Sequence, residues 1–478
     1  MSEGRIALPL DRVLALTHGR CVPSRSAFAA TVDLSTDTRC IRPGQIYVAL
    51  SGERFDGHAF VEQARAHGAA GAVVVREAAL PSNFPGIVVA DTTQAYLACA
   101  QAARELYTGQ VAAITGSVGK TTTKAFCAAL CEAASLGPVL ATPANENNEI
   151  GVGHLLLRAL RDAMTPRTLI VEMGARHSGE IEVLCRAARP TVGILTGVGE
   201  SHLENFPSLE SLEETKWGLF ATGARPVLSG SDRASLARLS RVLDRAPLLC
   251  YAEAPVQRSD PRAGEVCVSA AGEGIVEASY RAPGTAESHT YRTAFPIPGA
   301  HHRLDVALAL GAVAALGGNL DHAIAALGTL SLPEGRYQAI ELPNGANVVY
   351  DAYNAAPSST EAALQTFAAR RARRRIAVLA SMAELGPDAE ELHRRVGACA
   401  GALTRRRMLD ALLVGGEFSG ALEEGAIAGG APRASITRFA SNADATEWLR
   451  GHLHPGDAVL LKGSRRYKME EILEGLRR

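Results

Sequence analysis

The sequence predicts an α/β protein of three domains, and three observations carry that expectation. Its 478 residues, 47% of them apolar, suit about three units at the usual ~100–200 residues each. From about residue 110 onward, short apolar runs alternate with helical stretches, the pattern of mostly parallel strands joined by crossover helices. One stretch, Val111 to Lys124, reads VAAITGSVGKTTTK and joins a buried strand to a helix through a glycine-rich turn. The expected units are 1–109, a small N-terminal α/β domain; 110–331, a central P-loop-type domain; and 332–478, a doubly wound C-terminal domain.

Composition excludes several classes. The formal net charge of −1 offers no global field for nucleic acid or an anionic membrane. Arginine runs at Arg370–Arg375 and Arg405–Arg407 follow apolar helical patterns and read as solvated helix C-termini. Nine cysteines lie scattered without CxxC pairs, which argues for a reducing compartment. The N-terminus MSEGRIALPLDRV lacks an apolar signal core, and no run of 18 apolar residues occurs, so a soluble cytoplasmic protein without an integral membrane segment is expected.

In chain order, 46–50, 72–75 and 87–90 are strand-like and 96–107 is helical. Asp37-Thr38-Arg39, Arg42-Pro43-Gly44 and Gly52, Asp56, Gly57 and His58 suit a diphosphate or uridine group, and equally suit ordinary turns. In the central unit, Gly116 and Gly119 let the backbone of Ser117 and Val118 wrap a phosphate, while the N–H groups of Lys120, Thr121 and Thr122 open the helix. Lys120 would reach the β/γ-phosphates and Thr121 would offer a hydroxyl to Mg²⁺. The usual spacing would place a glycine at Ile114, so the motif is a shortened GxxGK[ST] form. Further strands are expected at 168–173, 192–198 and 226–229, and ligands gather at the carboxyl ends of such strands. Glu172 ends one and His202 follows another. Lys216 lies on the next helix; taken alone it reads as a surface lysine beside Glu213. Residues 251–294 turn polar and β-like without readable chemistry, and an alanine-rich helix headed by His301, His302 and Asp305 follows. In the last unit, strands at 347–351, 376–380, 412–414 and 457–461 again carry polar residues at their ends: Asp351, Tyr353 and Asn354, then Glu384, then Lys462, Ser464 and Arg465.

Together these stretches resemble the Mur ligases, ATP-dependent enzymes that form amide bonds in peptidoglycan synthesis. The resemblance covers nearly the whole chain: DTRCIRPGQIYVALSGERFDGH, GSVGKTTTK, TPANENNEIGVG, VEMGARHSGEI, HLENF with Lys216, GAHHRLDVALA, Gly335-Arg336, DAYNAAP, MAELG and LKGSR. It implies a UDP-substrate N-terminal domain and a Rossmann-like C-terminal domain that takes the amine and closes on ATP. The TPxNxNNExG block and the DxYN form at Asp351 are similar to the branch that joins D-alanyl-D-alanine (D-Ala-D-Ala) to a UDP-MurNAc-peptide, the tripeptide. The DNPR signature of the diaminopimelate- or lysine-adding branch is absent.

In a site of this family, Thr121 and Glu172 would hold one Mg²⁺, and His202 and a carbamylated Lys216 would serve a second. Arg336 would reach the γ-phosphate, Asp351 the ribose, and His301 and Asp305 the adenine side. Asn145, Asn147, Asn148 and Asn354 would face substrate, and Thr38 and Arg39 would contact its UDP end. A monomer is expected. Four asparagines usual in the family are replaced, by His302, Asp305, Gly197 and Ala356, and Gly153 stands where a proline is usual. Asp305 is expected to pair with His301 one turn back. The departures keep open a Mur-type ligase acting on another acid and amine; a nucleotide-binding regulator without turnover is the non-enzymatic alternative.

Overall fold

The computed structural model describes residues 6–52, 55–144, 146–161, 165–201, 203–255 and 260–477, and three open sheets organise them. The first holds β1 (Arg20–Val22), β2 (Leu34–Ser35), β3 (Ile46–Val48), β4 (Gly71–Val74) and β5 (Gly86–Val88) in the order 1-5-4-3-2, parallel except for β1. Helix α1 (Thr92–Leu106), capped at its start by the carboxylate of Asp91, leads out of it.

The central sheet begins with β6 (Gln110–Thr115), then α2 (Lys120–Ala133), β7 (Val139–Ala141), α3 (Glu149–Arg161) and β8 (Thr168–Glu172). After α4 (Glu180–Ala188) come β9 (Val192–Leu195), α5 (Leu209–Trp217), β10 (Arg225–Ser229) and β11 (Leu248–Tyr251). The antiparallel strands β12 (Gly264–Gly272), β13 (Ile275–Arg281) and β14 (Ser288–Ala294) extend one edge, and α6 (Ala300–Ala315) packs against the sheet. The order is 7-8-6-9-10-11-12-13-14, so β6 lies at the middle of the parallel part. Residues 264–294 therefore form an antiparallel extension. The strand expected over 192–198 stops at Leu195, because Gly197 takes a φ of 128° and turns the chain.

Period-two alternation splits β6 between two cores. Val111 and Ala113 join a cluster with Tyr96, Leu155 and Leu184, while Ala112 and Ile114 join Phe126, Ile194 and Leu308. The first cluster also contains Leu8, Val48 and Ile87, so the N-terminal and central sheets share one apolar core. A buried ion pair between Asp33 and Arg161, 2.7 Å, reinforces that junction.

The third sheet comprises β15 (Gln338–Glu341), β16 (Asn347–Tyr350), β17 (Arg375–Ala380), β18 (Ala411–Gly415), β19 (Ile436–Phe439) and β20 (Ala458–Lys462), ordered 15-16-20-17-18-19 and parallel except for β15. Its helices include α7 (Pro357–Ala368), α8 (Ala389–Arg405) and α9 (Ser419–Ala428), and its two core clusters take almost nothing from the other sheets. Polar contacts join it to the central sheet: Arg395 on α8 pairs with Glu200 at 2.6 Å, and Gly386 packs on Glu204. Among the described residues no helix is long and apolar enough to cross a membrane.

Helices α8 and α9 touch backbone to backbone. A Cβ added at Gly401 would collide with the carbonyl oxygen of Ala426, whereas one at Gly420 would meet nothing. Gly401→Ala is therefore expected to destabilise the protein by about 1–3 kcal/mol, and Gly420→Ala to be neutral or to stabilise it by up to ~1 kcal/mol. Urea unfolding of both variants checks the contrast.

Candidate functional site

The carboxyl ends of β6 and β8 and the linker into the third sheet border a cleft of about 510 Å³. The P-loop at its floor is shaped by glycine. Gly116 has φ 146° with Thr196 pressed against the place of a Cβ, and Gly119 has φ 84°. Ser117, Val118, Gly119, Lys120 and Thr121 line the cleft; Thr122 is buried in α2 and does not. The ammonium of Lys120 folds back over the loop and donates to the carbonyls of Gly116 at 2.7 Å and Ser117 at 3.2 Å. Burial lowers its pKa, opposed by Glu172 and assisted by Arg336.

Glu172 is 1% exposed. Its Oε1 accepts from the Thr121 hydroxyl at 3.3 Å and from Asn147 Nδ2 at 3.0 Å. From the other domain, Arg336 brings Nη2 to 3.4 Å from Thr121 Oγ1 and lies over the Tyr353 ring at 4.3 Å. Its Nε is buried without a hydrogen-bond partner, a donor left for an anion. Lys216, expected on the surface when read alone, is 1% exposed, and Glu213 pairs instead with Arg238 at 2.7 Å. Burial, with help from Lys120, brings the Lys216 amine down to about 7. Asn148 and Asn354 also line the cleft.

The remaining expected residues lie apart. His202 and Asn145 fall outside the described residues. His301 stacks against His302 with ring centres 3.9 Å apart and faces Tyr337; burial holds both imidazoles below their ordinary pKa. Asp351 accepts from the Tyr337 backbone N–H at 3.1 Å and pairs with Lys462 at 3.0 Å. In the N-terminal unit, Thr38 donates to Gln63 at 3.2 Å and the Arg39 guanidinium pairs with Asp37 at 2.7 Å. None of these lines the cleft.

Asp305 corrects the sequence reading. Its Oδ1 accepts from the Thr123 hydroxyl at 3.0 Å and stands 2.5 Å from where a Cβ on Gly119 would be, so it lies under the P-loop and not against His301. The helix turns the i−4 neighbour toward Tyr337 and Thr366 instead. Among the cleft-lining residues that the sequence reading did not single out are Arg176, His177 and Glu180. All three sit inside the VEMGARHSGEI block, where the backbone N–H groups of Arg176 and His177 donate to the Glu180 carboxylate at 2.6 and 3.0 Å.

A family model described as Mur ligase middle domain matches residues 114–239, one described as Mur ligase, glutamate ligase domain matches 335–465, and one described as Mur ligase family, catalytic domain matches 33–107. The UDP-N-acetylmuramoyl-tripeptide–D-alanyl-D-alanine ligase of Escherichia coli K12 is 31% identical over 93% of this chain and 93% of its own length. A crystal structure of MurF from Acinetobacter baumannii superposes with a TM-score of 0.83 at 25% identity, covering 100% of both chains. The MurF ligase of Thermotoga maritima, solved in complex with ADP, gives 0.77 at 25% identity over 93% of this chain and 97% of its own.

Burial raises the Asp305 carboxyl to about 8, opposed by Thr123 and Arg336. Between the unfolded value near 3.8 and about 8, the folded state keeps a proton that the unfolded state releases, so this group's contribution to stability falls as pH rises and levels off above about 8. Asp305→Asn cannot ionise. The melting temperatures of variant and parent should diverge in the variant's favour from pH 5 to 8 and stay parallel above that; a constant gap would place the carboxyl in solvent.

Proposed function

The chain belongs to the Mur ligase family, and from that premise and the cleft we propose an ATP-dependent amide ligase that joins D-alanyl-D-alanine to UDP-N-acetylmuramoyl-tripeptide. The observation that carries the reading is the meeting of Lys120, Thr121, Glu172, Lys216 and Arg336, drawn from two domains, around one polar cleft.

The reaction has two steps. A carboxylate oxygen of the acid attacks the γ-phosphorus and ADP leaves. The amine then attacks the acyl carbon of the acyl phosphate, loses a proton and expels phosphate. Charge builds on the transferring phosphoryl oxygens, so oriented cations are the main means of acceleration. Lys120 would neutralise the β/γ-phosphates from below and Arg336 the γ-phosphate from the facing domain. Asn147 and Asn148 would orient the acid, and Asn354 the amine side. Closure of the two domains over the cleft would exclude water from a hydrolysable acyl phosphate.

The residues fit Mg²⁺. Thr121 Oγ1 and Glu172 supply hard oxygen atoms, and among the described residues no three His, Cys, Asp or Glu side chains form a closed cage. That suits an ion held by one or two protein oxygens plus phosphates and water. Mg²⁺ would spread the developing phosphoryl charge. Lys216 fits carbamylation, since a buried amine brought down to about 7 has a substantial free-base fraction at neutral pH, where an ordinary lysine has almost none. Its lone pair can bond to CO₂ with loss of a proton, giving an anionic oxygen donor in place of a cation. His202 would complete that second ligand set.

A different acid and amine would be favoured by departures on the substrate side. Two of the four asparagine replacements, His302 and Asp305, lie instead beside Tyr337 and the P-loop, and so bear on nucleotide. Cytoplasmic residence accords with nine free cysteines among the described residues.

An ADP-release assay should give turnover only when the UDP-linked tripeptide and D-Ala-D-Ala are both present; turnover with another pair alone would sink the substrate assignment. Lys120→Ala is expected to lower that turnover by ~10²-fold or more, the scale for losing one oriented charge stabiliser. Lys216→Ala should be nearly inactive, recover partly with added short carboxylates, and have a parent that slows when bicarbonate is depleted. Full activity in folded Lys216→Ala would end the carbamate proposal.

A further inference from the structure

Lys124 lies one helical turn beyond Thr121, on the same face of α2. The two residues divide the Glu172 carboxylate between them. Thr121 donates to Oε1, and the Lys124 ammonium stands 3.0 Å from Oε2. Oε2 nevertheless has no hydrogen bond, so the ammonium lies off the hydrogen-bonding direction and the attraction is one of charge alone. Lys124 spends its hydrogen bond elsewhere, on the carbonyl of Ala144 at 2.6 Å.

That carbonyl belongs to the loop between β7 and α3, which carries the asparagines assigned to the acid substrate. The same loop returns to Glu172 twice more, and once to Gly174 just beyond it. The Glu172 backbone N–H donates to Thr142 Oγ1 at 2.9 Å, and Asn147 Nδ2 donates to Oε1 at 3.0 Å. The Asn147 carbonyl accepts from the Gly174 N–H at 2.7 Å. Ala144 itself holds φ 39°, a left-handed conformation that costs a non-glycine residue energy unless its surroundings enforce it. Lys124 is 6% exposed. A lysine present only to neutralise a buried glutamate would aim its N–H at the carboxylate; this one aims at the loop.

We propose that Lys124 is a positioning residue that ties the acid-substrate loop to the Glu172 carboxylate, so that metal–nucleotide and the UDP-linked acid each favour the other's binding. The inference rests on the ligase reading above. A loop held at Ala144 from the nucleotide side has one arrangement when Glu172 is engaged, and coupling between two sites is reciprocal. It also assigns the acid's affinity, not the amine's, to a residue of the P-loop helix.

The test is Lys124→Met, close to lysine in volume but uncharged, with Lys124→Gln keeping an uncharged donor should the methionine variant fail to fold. Calorimetric binding of the UDP-linked tripeptide is measured with and without Mg²⁺ and a non-hydrolysable ATP analogue. In the parent, nucleotide should tighten acid binding. In the variant that enhancement should vanish, and the acid's KM should rise about tenfold, the scale for a charge-assisted bond lost. The KM for D-Ala-D-Ala should stay within twofold. Lys124→Cys alkylated to aminoethylcysteine restores an ammonium of similar reach and should restore the coupling, which a purely structural role would not require. Folded variants with parental acid affinity and parental nucleotide dependence overturn the proposal. A parent that releases no ADP with acid and amine refutes the ligase reading instead.

Discussion

Too much buried positive charge for the carboxylate present is the constraint around which this molecule is built. Lys120, Lys124, Lys216 and Arg336 all approach a cleft whose buried acid is Glu172. A buried cation without a partner costs several kcal/mol, and the protein yields by lowering the proton affinity of Lys120 and Lys216. Such an arrangement is poor for stability and good for holding a polyphosphate, which supplies the missing negative charge. The P-loop backbone, the end of β8 and the arrival of Arg336 across the domain junction all serve to hold those cations together.

The junctions follow the same division of labour. The N-terminal and central sheets share an apolar core and an Asp33–Arg161 pair across their junction. The third sheet keeps its own cores and meets the others through polar contacts such as Arg395 with Glu200. Interfaces of that kind open at modest cost, as the proposed closure over ATP and an amine would require.

Much of this was legible in the sequence, because strand periodicity and a glycine–lysine turn are local signals. The strands at Val111, Thr168 and Ile376 read directly, since fully buried parallel strands are continuous apolar runs. What stayed hidden depends on direction across space. Lys216 looked like a surface lysine because a helix surface position and a cleft-facing one have the same local sequence. Asp305 was assigned to a neighbour on its own helix, whereas the chain brings Thr123 and Gly119, nearly two hundred residues away, into its reach. Lys124 stood inside the most legible motif of the chain, yet its partners, Ala144 and Glu172, come from a separate loop and from the end of β8.

The two lowered lysines show why the order of events matters. With Lys216 and Lys120 both protonated, each raises the cost of the other, and the cleft favours releasing one proton. Lys216 is the better candidate to release it, because Lys120 has the carbonyls of Gly116 and Ser117 as acceptors and Glu172 as a counter-charge. The free amine so produced is the form able to take up CO₂, and the proposed carbamate would replace a repelling cation with an attracting anion beside Lys120. The repulsion between the two lysines would thus also prepare Lys216 for the proposed carbamylation, and that modification would remove the repulsion. Burial, an unpaired charge and a reactive amine are one physical fact seen at three levels, and the fold maintains it by keeping Glu213, the acid one turn back on the helix, occupied with Arg238.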